Sequence, residues 1–195
     1  ANSTSMLPRH KGITVPITLL MSGAHNAIAD ENQDSIIIAK TLLVDLANSN
    51  TLFSSIGYNE VKKKPMCYAG GDIQAPCWYH QYAFARDVFS NYIITALWLK
   101  DELNDQEIKI VNKYINKMYK KFTKPIEFHT EKQGFYQMAN GGTGVLAYAS
   151  WANDKELAAK QITHRFKEID TLFYEDGYIN NNSFRDYRGQ WYHSY

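Results

Sequence analysis

The sequence predicts an all-α fold, an incomplete (α/α) toroid or barrel of paired helices, on three observations. Apolar residues recur at three- and four-residue steps through long stretches, and capping residues stand at the starts of several of them. Strand signals are sparse, with no alternating run around Asn-Gly or Asp-Gly beyond a short turn in "EDGYI". Alternating inner and outer helices suit a toroid, which wants more helices than 195 residues supply. The chain therefore reads as one domain, 1–195, truncated at its C-terminus and part of a larger whole.

Each element has its own justification. "ENQDSIIIAKTLLVDLAN" reads as a helix with one ambiguous point, its triple isoleucine. "YAFARDVFSNYIITALWLKDEL" is apolar almost all round, so neighbours must cover it on several sides. "NDQEIKIVNKYINKMYKKF" opens with Asn104 and Glu107 in capping-box spacing, carries a stripe of Ile108, Val111, Ile115, Met118 and Phe122, and is stopped by Pro125. "GGTGVLAYASWA" reads as a shorter buried helix. "NDKELAAKQITHRFKEIDTLF" takes Asn153 as its cap and sets Ala158, Ile162, Phe166, Ile169 and Phe173 toward the core, with His164 on the solvated side. Long loops at 62–78, 123–140 and 174–190 are the expected carriers of function. No clean internal repeat argues for a solenoid.

Composition excludes several classes. A formal net charge of +1 gives no global field for nucleic acid or an anionic membrane. The longest apolar candidate for a membrane span, "ITVPITLLMSGA", holds a proline and is too short, so no span is expected. None of the six histidines lies in a metal-ligand pair, so neither a metal nor a cofactor is expected. Cys67 and Cys77 flank a Gly- and Pro-containing loop that either closes a disulfide in an oxidising compartment or holds two free thiols. No secretory leader is present at "ANSTS", so any such signal is already removed. Asn2 and Asn181 lie in acceptor-like sequons that matter only on a eukaryotic secretory path. Aromatics reach 14% of the chain, which fits either a sugar-lined cleft or a tyrosine-rich core.

Three stretches could carry chemistry. In the closing "NNNSFRDYRGQWYHSY", a helix starting near Arg185 or Arg188 puts Arg185, Arg188 and Tyr192 on one face. A guanidinium beside a phenol favours the phenolate, which supplies a base and an anion clamp together. The plainer alternative is a Tyr–Arg surface pair. In "QMANGGTGV", Asn140 precedes a Gly-Gly step and either caps a helix starting at Gly141 or projects its amide toward an anion there. This Gly-rich stretch lacks the Lys-Ser/Thr of a phosphate-binding loop. In "CWYHQYAFARD", Trp78, Tyr79, His80 and Arg86 either line a sugar site or form an ordinary helix start.

Together these stretches resemble the poly-mannuronate type of alginate lyase, a family with an (α/α) toroid fold, over roughly residues 78–195. "FARDVFSNYIITALWLK" is similar to that family's helix with an aromatic-x-Arg start, and "ANGGTGVLAYASWA" falls at its Asn-His motif. The specific part is Arg185 followed seven residues later by the Tyr-His-x-Tyr of "YHSY". The family's His falls at Gly141, so either His193, or His129 in a long loop, stands in for it, or the mechanism relies on Asn140 and Arg185.

The resemblance implies a lyase that β-eliminates an anionic, alginate-like uronate polysaccharide. Asn140 and Arg185 would neutralise the carboxylate, and Tyr192 would serve as base and then acid. Trp78, Tyr79, His80, Arg86, Tyr187, Arg188 and Trp191 would hold sugar rings. Such a role implies secretion or a periplasm. Two other classes stay open: a glycoside hydrolase on a related toroid, drawing on Asp87, Asp176 or Asp186, and a non-catalytic carbohydrate-binding protein of the same fold.

Overall fold

The computed structural model describes residues 6–49, 58–59, 64–65, 88–124, 127–128 and 135–172, with the backbone alone over 6–16, 18, 58–59, 64–65, 122, 135–142 and 168–172. Within them the chain is helical: α1 Met6–Ala29, α2 Gln33–Ser49, α3 Ser90–Trp98, α4 Asp105–Met118, α5 Phe135–Ala152 and α6 Lys155–Leu172. One short antiparallel pairing joins β1 (Tyr58–Asn59) to β2 (Lys64–Pro65), with Tyr58 opposite Pro65. Two residues per strand are too few to leave an alternating signal in sequence.

The helices pack in two rows. α1, α3 and α5 lie side by side, and α2 packs on α1 and reaches α4. α6 packs on α5. The described helices are thus packed against one another as an all-α fold expects. The rows enclose a core of Ile17, Leu43, Phe89, Tyr92, Ile93, Leu99, Val111, Ile115 and Met118. α3 sits at its centre, where Ser90, Tyr92, Ile93, Thr95 and Ala96 are all buried, and α1, α2 and α5 cover it. An almost wholly apolar helix finds cover only in such a position.

Two of the turns are built alike. α1 ends on Glu31 and α5 on Asn153, both in the left-handed region at φ 53° and 54°. The amide of Asn32 returns to the Ala27 carbonyl at 2.9 Å and that of Asp154 to the Ala149 carbonyl at 2.8 Å, closing a Schellman motif in each case. The same two residues then cap the next helix: Asn32 Oδ1 accepts from Ser35 N at 3.0 Å, and Asp154 Oδ1 from Leu157 N at 2.9 Å. The expected cap, Asn153, therefore ends α5 instead, because only one residue in the turn can turn left-handed and Asn tolerates it. The α1–α2 and α5–α6 hairpins are thus equivalent units that sequence comparison does not reveal.

α4 begins as expected. Asn104 Oδ1 accepts from the amides of Gln106 and Glu107 at 3.0 Å, and Glu107 returns a carboxylate to the Asn104 amide at 2.8 Å. Glu107 also meets Lys40 of α2 at 3.3 Å, which ties the cap to α2. Asn104→Ala is expected to cost about 1 kcal/mol in urea unfolding. A second variant, Lys40→Ala, should cost less than that, since the pair is partly solvated. α4 stops at Met118, and a π-helical turn follows over Tyr119–Thr123; Pro125 lies outside the described residues.

Several expectations need correction. Residues 6–29, for which no element was expected, form one helix that holds Pro8 and Pro16; Pro8 falls in the first turn, where a missing amide costs nothing. α5 starts at Phe135, six residues before Gly141, so the loop expected over 123–140 is much shorter. In α6 two members of the expected stripe face outward: Ile162 and Phe166 are 45% and 65% exposed, while Ala158 is half-buried and Gln161 is fully buried. Polar pairing explains the inversion. With its amide oriented so that both ends are satisfied, Gln161 Nε2 donates to the Glu127 carbonyl at 2.9 Å and its Oε1 accepts from Arg165 Nε and Nη2 at 2.8 and 3.0 Å. A satisfied buried amide outweighs the loss of two apolar contacts. His164 is half-buried, its ring edge-on to Phe128 at 5.6 Å, and does not sit on a solvated face.

Candidate functional site

The best-defined polar constellation in the described residues gathers where the π-helical turn, α4, α5 and α6 meet. Tyr119 and Tyr148 stack at 3.6 Å between centroids with an interplanar angle of 8°. The Tyr119 hydroxyl donates to the Glu127 carboxylate. The Tyr148 hydroxyl donates to Asn116 Oδ1 at 2.7 Å, and Asn116 in turn donates to Asn112 Oδ1 at 3.0 Å. Trp151 Nε1 donates to the same Asn112 oxygen at 3.0 Å, and the Lys100 ammonium lies 5.2 Å above the Trp151 ring. α4 supplies the two asparagines one turn apart, and α5 supplies Tyr148 and Trp151 three residues apart, so each helix offers one polar line to the other.

Its electrostatics are those of a locked network. Burial, the hydrogen bond to Glu127 and the nearby carboxylates all push Tyr119 well above the ordinary phenol range. Burial, then Asp154 and Glu127, raise Tyr148 as well. Both phenols are held neutral, as donors. Neither can serve as a phenolate base, so proton abstraction from carbon does not fit this constellation. What the arrangement does is fasten α5 to α4 and, through Glu127 and Gln161, to α6.

Asn140 is the one residue of the expected site on a described element. It is the sixth residue of α5, more than a turn past the helix start at Phe135, and so does not cap the helix. The free amides of the α5 N-terminus belong to earlier residues, so the anion site expected beside Asn140 loses its helix-end donors. Trp78, Tyr79, His80, Arg86, Arg185, Tyr187, Arg188, Trp191, Tyr192 and His193 lie outside the described residues, as do His129 and the Cys67–Cys77 loop.

Sequence reasoning missed the tyrosine network. Its only trace is the Asn112/Asn116 spacing, since the contacts join residues up to 39 positions apart. Among the described residues no group of three His, Cys, Asp or Glu side chains could hold a metal ion. Among those same residues no helix is long and apolar enough to cross a membrane. No family model, curated protein or solved structure matches the chain.

Proposed function

We propose that this chain is part of an (α/α) toroid-type polysaccharide lyase that cleaves an alginate-like uronate polymer by β-elimination. The observation that carries the reading is the seven-residue step from Arg185 to Tyr192, inside a closing segment dense in aromatics and cations. The antiparallel helix pairs α1–α2 and α5–α6 support the architecture, since a toroid is built of such pairs.

The chemistry follows from the substrate. The proton at C5 lies α to a carboxylate and is very weakly acidic, because its removal makes a dianionic enolate. Neutralising that carboxylate is the main task, assigned to the Asn140 amide and the Arg185 guanidinium. The Tyr192 phenolate takes the C5 proton, the C5–H electrons form the C4–C5 double bond, and the C4–O bond breaks. The same phenol then protonates the leaving oxygen, which fits a syn course. His193 takes the place of the family's histidine, whose position is Gly141. Trp78, Tyr79, His80, Arg86, Tyr187, Arg188 and Trp191 hold and orient the sugar rings. Carboxylate neutralisation by Asn140 and Arg185 needs neither metal nor cofactor. A secreted or periplasmic location suits such a substrate.

One specific observation favours a second reading, a non-catalytic carbohydrate-binding protein of the same fold. Gly141 replaces the imidazole, and α5 extends back past Asn140. Ultraviolet absorbance of the unsaturated product separates the two. A rise when the protein is offered a panel of uronate polymers is the expected result. Binding without that rise would favour the second reading, and reducing ends without it would favour a hydrolase.

A further inference from the structure

α4 and the π-helical turn that extends it, up to Lys124, carry six lysines: Lys109, Lys113, Lys117, Lys120, Lys121 and Lys124. No acidic residue stands between Glu107 and Glu127. Val111, Tyr114, Ile115 and Met118 turn one side of α4 into the core. Steps of four, eight, eleven and fifteen from Lys109 return to the opposite side, so the lysines form one track. Lys109, Lys113, Lys120 and Lys124 are exposed, and Lys117 and Lys121 are half-buried. At 1.5 Å per residue the track is about 20 Å long.

The acids around it do not cancel this charge. Glu107 is taken up by the Asn104 amide and Lys40. Asp105 offsets part of Lys109, one turn on, but lies about 12 Å along the axis from Lys113, beyond the physiological screening length of about 8 Å. Glu127 and Asp154 both act on Tyr119, which projects about a quarter-turn away from the track. Even with both counted the track stays positive. A chain of net charge +1 thus concentrates its cations along one helix face.

The track also leads somewhere. α5 runs antiparallel beside α4, with Trp151 at Asn112 and Tyr148 at Asn116, and it goes on to meet the π-helical turn. Eight residues back from Tyr148, about 12 Å along the axis, the Asn140 position comes about level with the Lys124 end of the track.

We propose that this lysine track is a binding surface for the uronate polymer, which lies along α4 and is led from Lys109 toward the level of Asn140. The identity of the polymer rests on the polysaccharide reading above. Three features favour a linear anionic sugar over other anions. The track is long and narrow, so it fits a chain and not a plane. The apolar side of α4 is already buried, so the helix has nothing to insert into a lipid surface. Neither arginine nor an aromatic ring stands among the members of the track, as base edges and base stacking would call for. Each lysine meets a carboxylate as a point charge, and a chain that carries one on every ring meets several lysines at once.

Binding of end-labelled polymannuronate chains of graded length, read by fluorescence anisotropy, tests it. The full chain carrying Tyr192→Phe is used, so that cleavage does not shorten the probe. Affinity should rise with length until the probe spans the track. The logarithm of the binding constant should fall with the logarithm of salt at a slope of about −2 to −3. The triple variant Lys113→Gln, Lys120→Gln, Lys124→Gln changes exposed positions only. It should keep the thermal melt, weaken long chains by about tenfold or more and flatten the salt dependence. The control triple Lys155→Gln, Lys160→Gln, Lys167→Gln removes the same charge from exposed sites on α6 and should stay within about twofold of the parent. Equal losses in the two triples overturn the proposal, because net charge and not the track then binds. No binding at low salt, or binding indifferent to length, overturns it too. So does tighter, track-dependent binding of single-stranded DNA or of phosphatidylserine vesicles. Product absorbance separates this proposal from the lyase reading. Track-dependent binding with no absorbance rise in the wild type sinks the lyase and keeps the track; a rise with binding that the first triple leaves unchanged sinks the track and keeps the lyase.

Discussion

Tyr192→Phe is expected to lower the turnover of a uronate polymer by roughly 10²- to 10⁴-fold while leaving the thermal melt unchanged. One hydroxyl is removed from a residue assigned to both proton transfers, so the loss should fall in kcat, with KM little altered. Arg185→Lys should give a smaller loss that includes KM, because a lysine keeps the charge but not the two-pronged hold on a carboxylate. Tyr119 and Tyr148 offer no substitute base: both are pushed toward the neutral phenol by burial and by Glu127 and Asp154. Initial rates followed by product absorbance check this. Turnover that survives Tyr192→Phe would keep the reaction class and move the base elsewhere, with His193→Ala as the next variant.

How far the sequence reveals this molecule depends on how local the cause is. The α4 cap was legible because Asn104 and Glu107 act on amides within three residues of themselves. The burial of α3 was legible because a helix without a polar face has only one place to go. The facing of α6 was not, since it turns on Gln161 meeting Glu127 and Arg165, and only the tertiary contact supplies the Glu127 carbonyl. The start of α5 was misplaced for a related reason. The double glycine at 141–142 reads as a boundary, yet packing against α3 and α6 carries the helix through it. The two turns hid their likeness because "ADENQ" and "WANDK" share a backbone path and hardly any residues. Of the expected site, only Asn140 lies on a described element, and there its helical setting differs from the one its neighbours in sequence suggest.

Tyr92→Ala is expected to destabilise the fold by about 3–5 kcal/mol. That is a large share of the roughly 5–15 kcal/mol that holds a domain together. Tyr92 is fully buried on α3, its hydroxyl donates to the Leu43 carbonyl of α2 at 2.8 Å, and its ring meets Tyr114 of α4 edge-on at 5.2 Å. One side chain thus joins both rows, and its removal leaves a cavity that three helices would have to close together. Urea titration should show a lower midpoint with an unchanged slope. Tyr92→Phe keeps the ring and should cost only about 1 kcal/mol, the ordinary net worth of a hydrogen bond. The same burial makes the fold sensitive to alkali. Desolvation, then Tyr114, raises the Tyr92 phenol well above its ordinary value. Below about pH 10 the phenol is neutral in both states and its contribution is fully present. Above that the unfolded chain releases the proton first, so stability falls by about 1.4 kcal/mol per pH unit until the folded phenol also ionises. Tyr119 and Tyr148 shift in the same direction and steepen the fall, by less where water screens them. Tyr92→Phe should therefore start less stable at neutral pH and lose stability more slowly above pH 10. Parallel slopes for the two proteins in that range would show that Tyr92 ionises as readily folded as unfolded, and that its hydroxyl is not shut away between the rows.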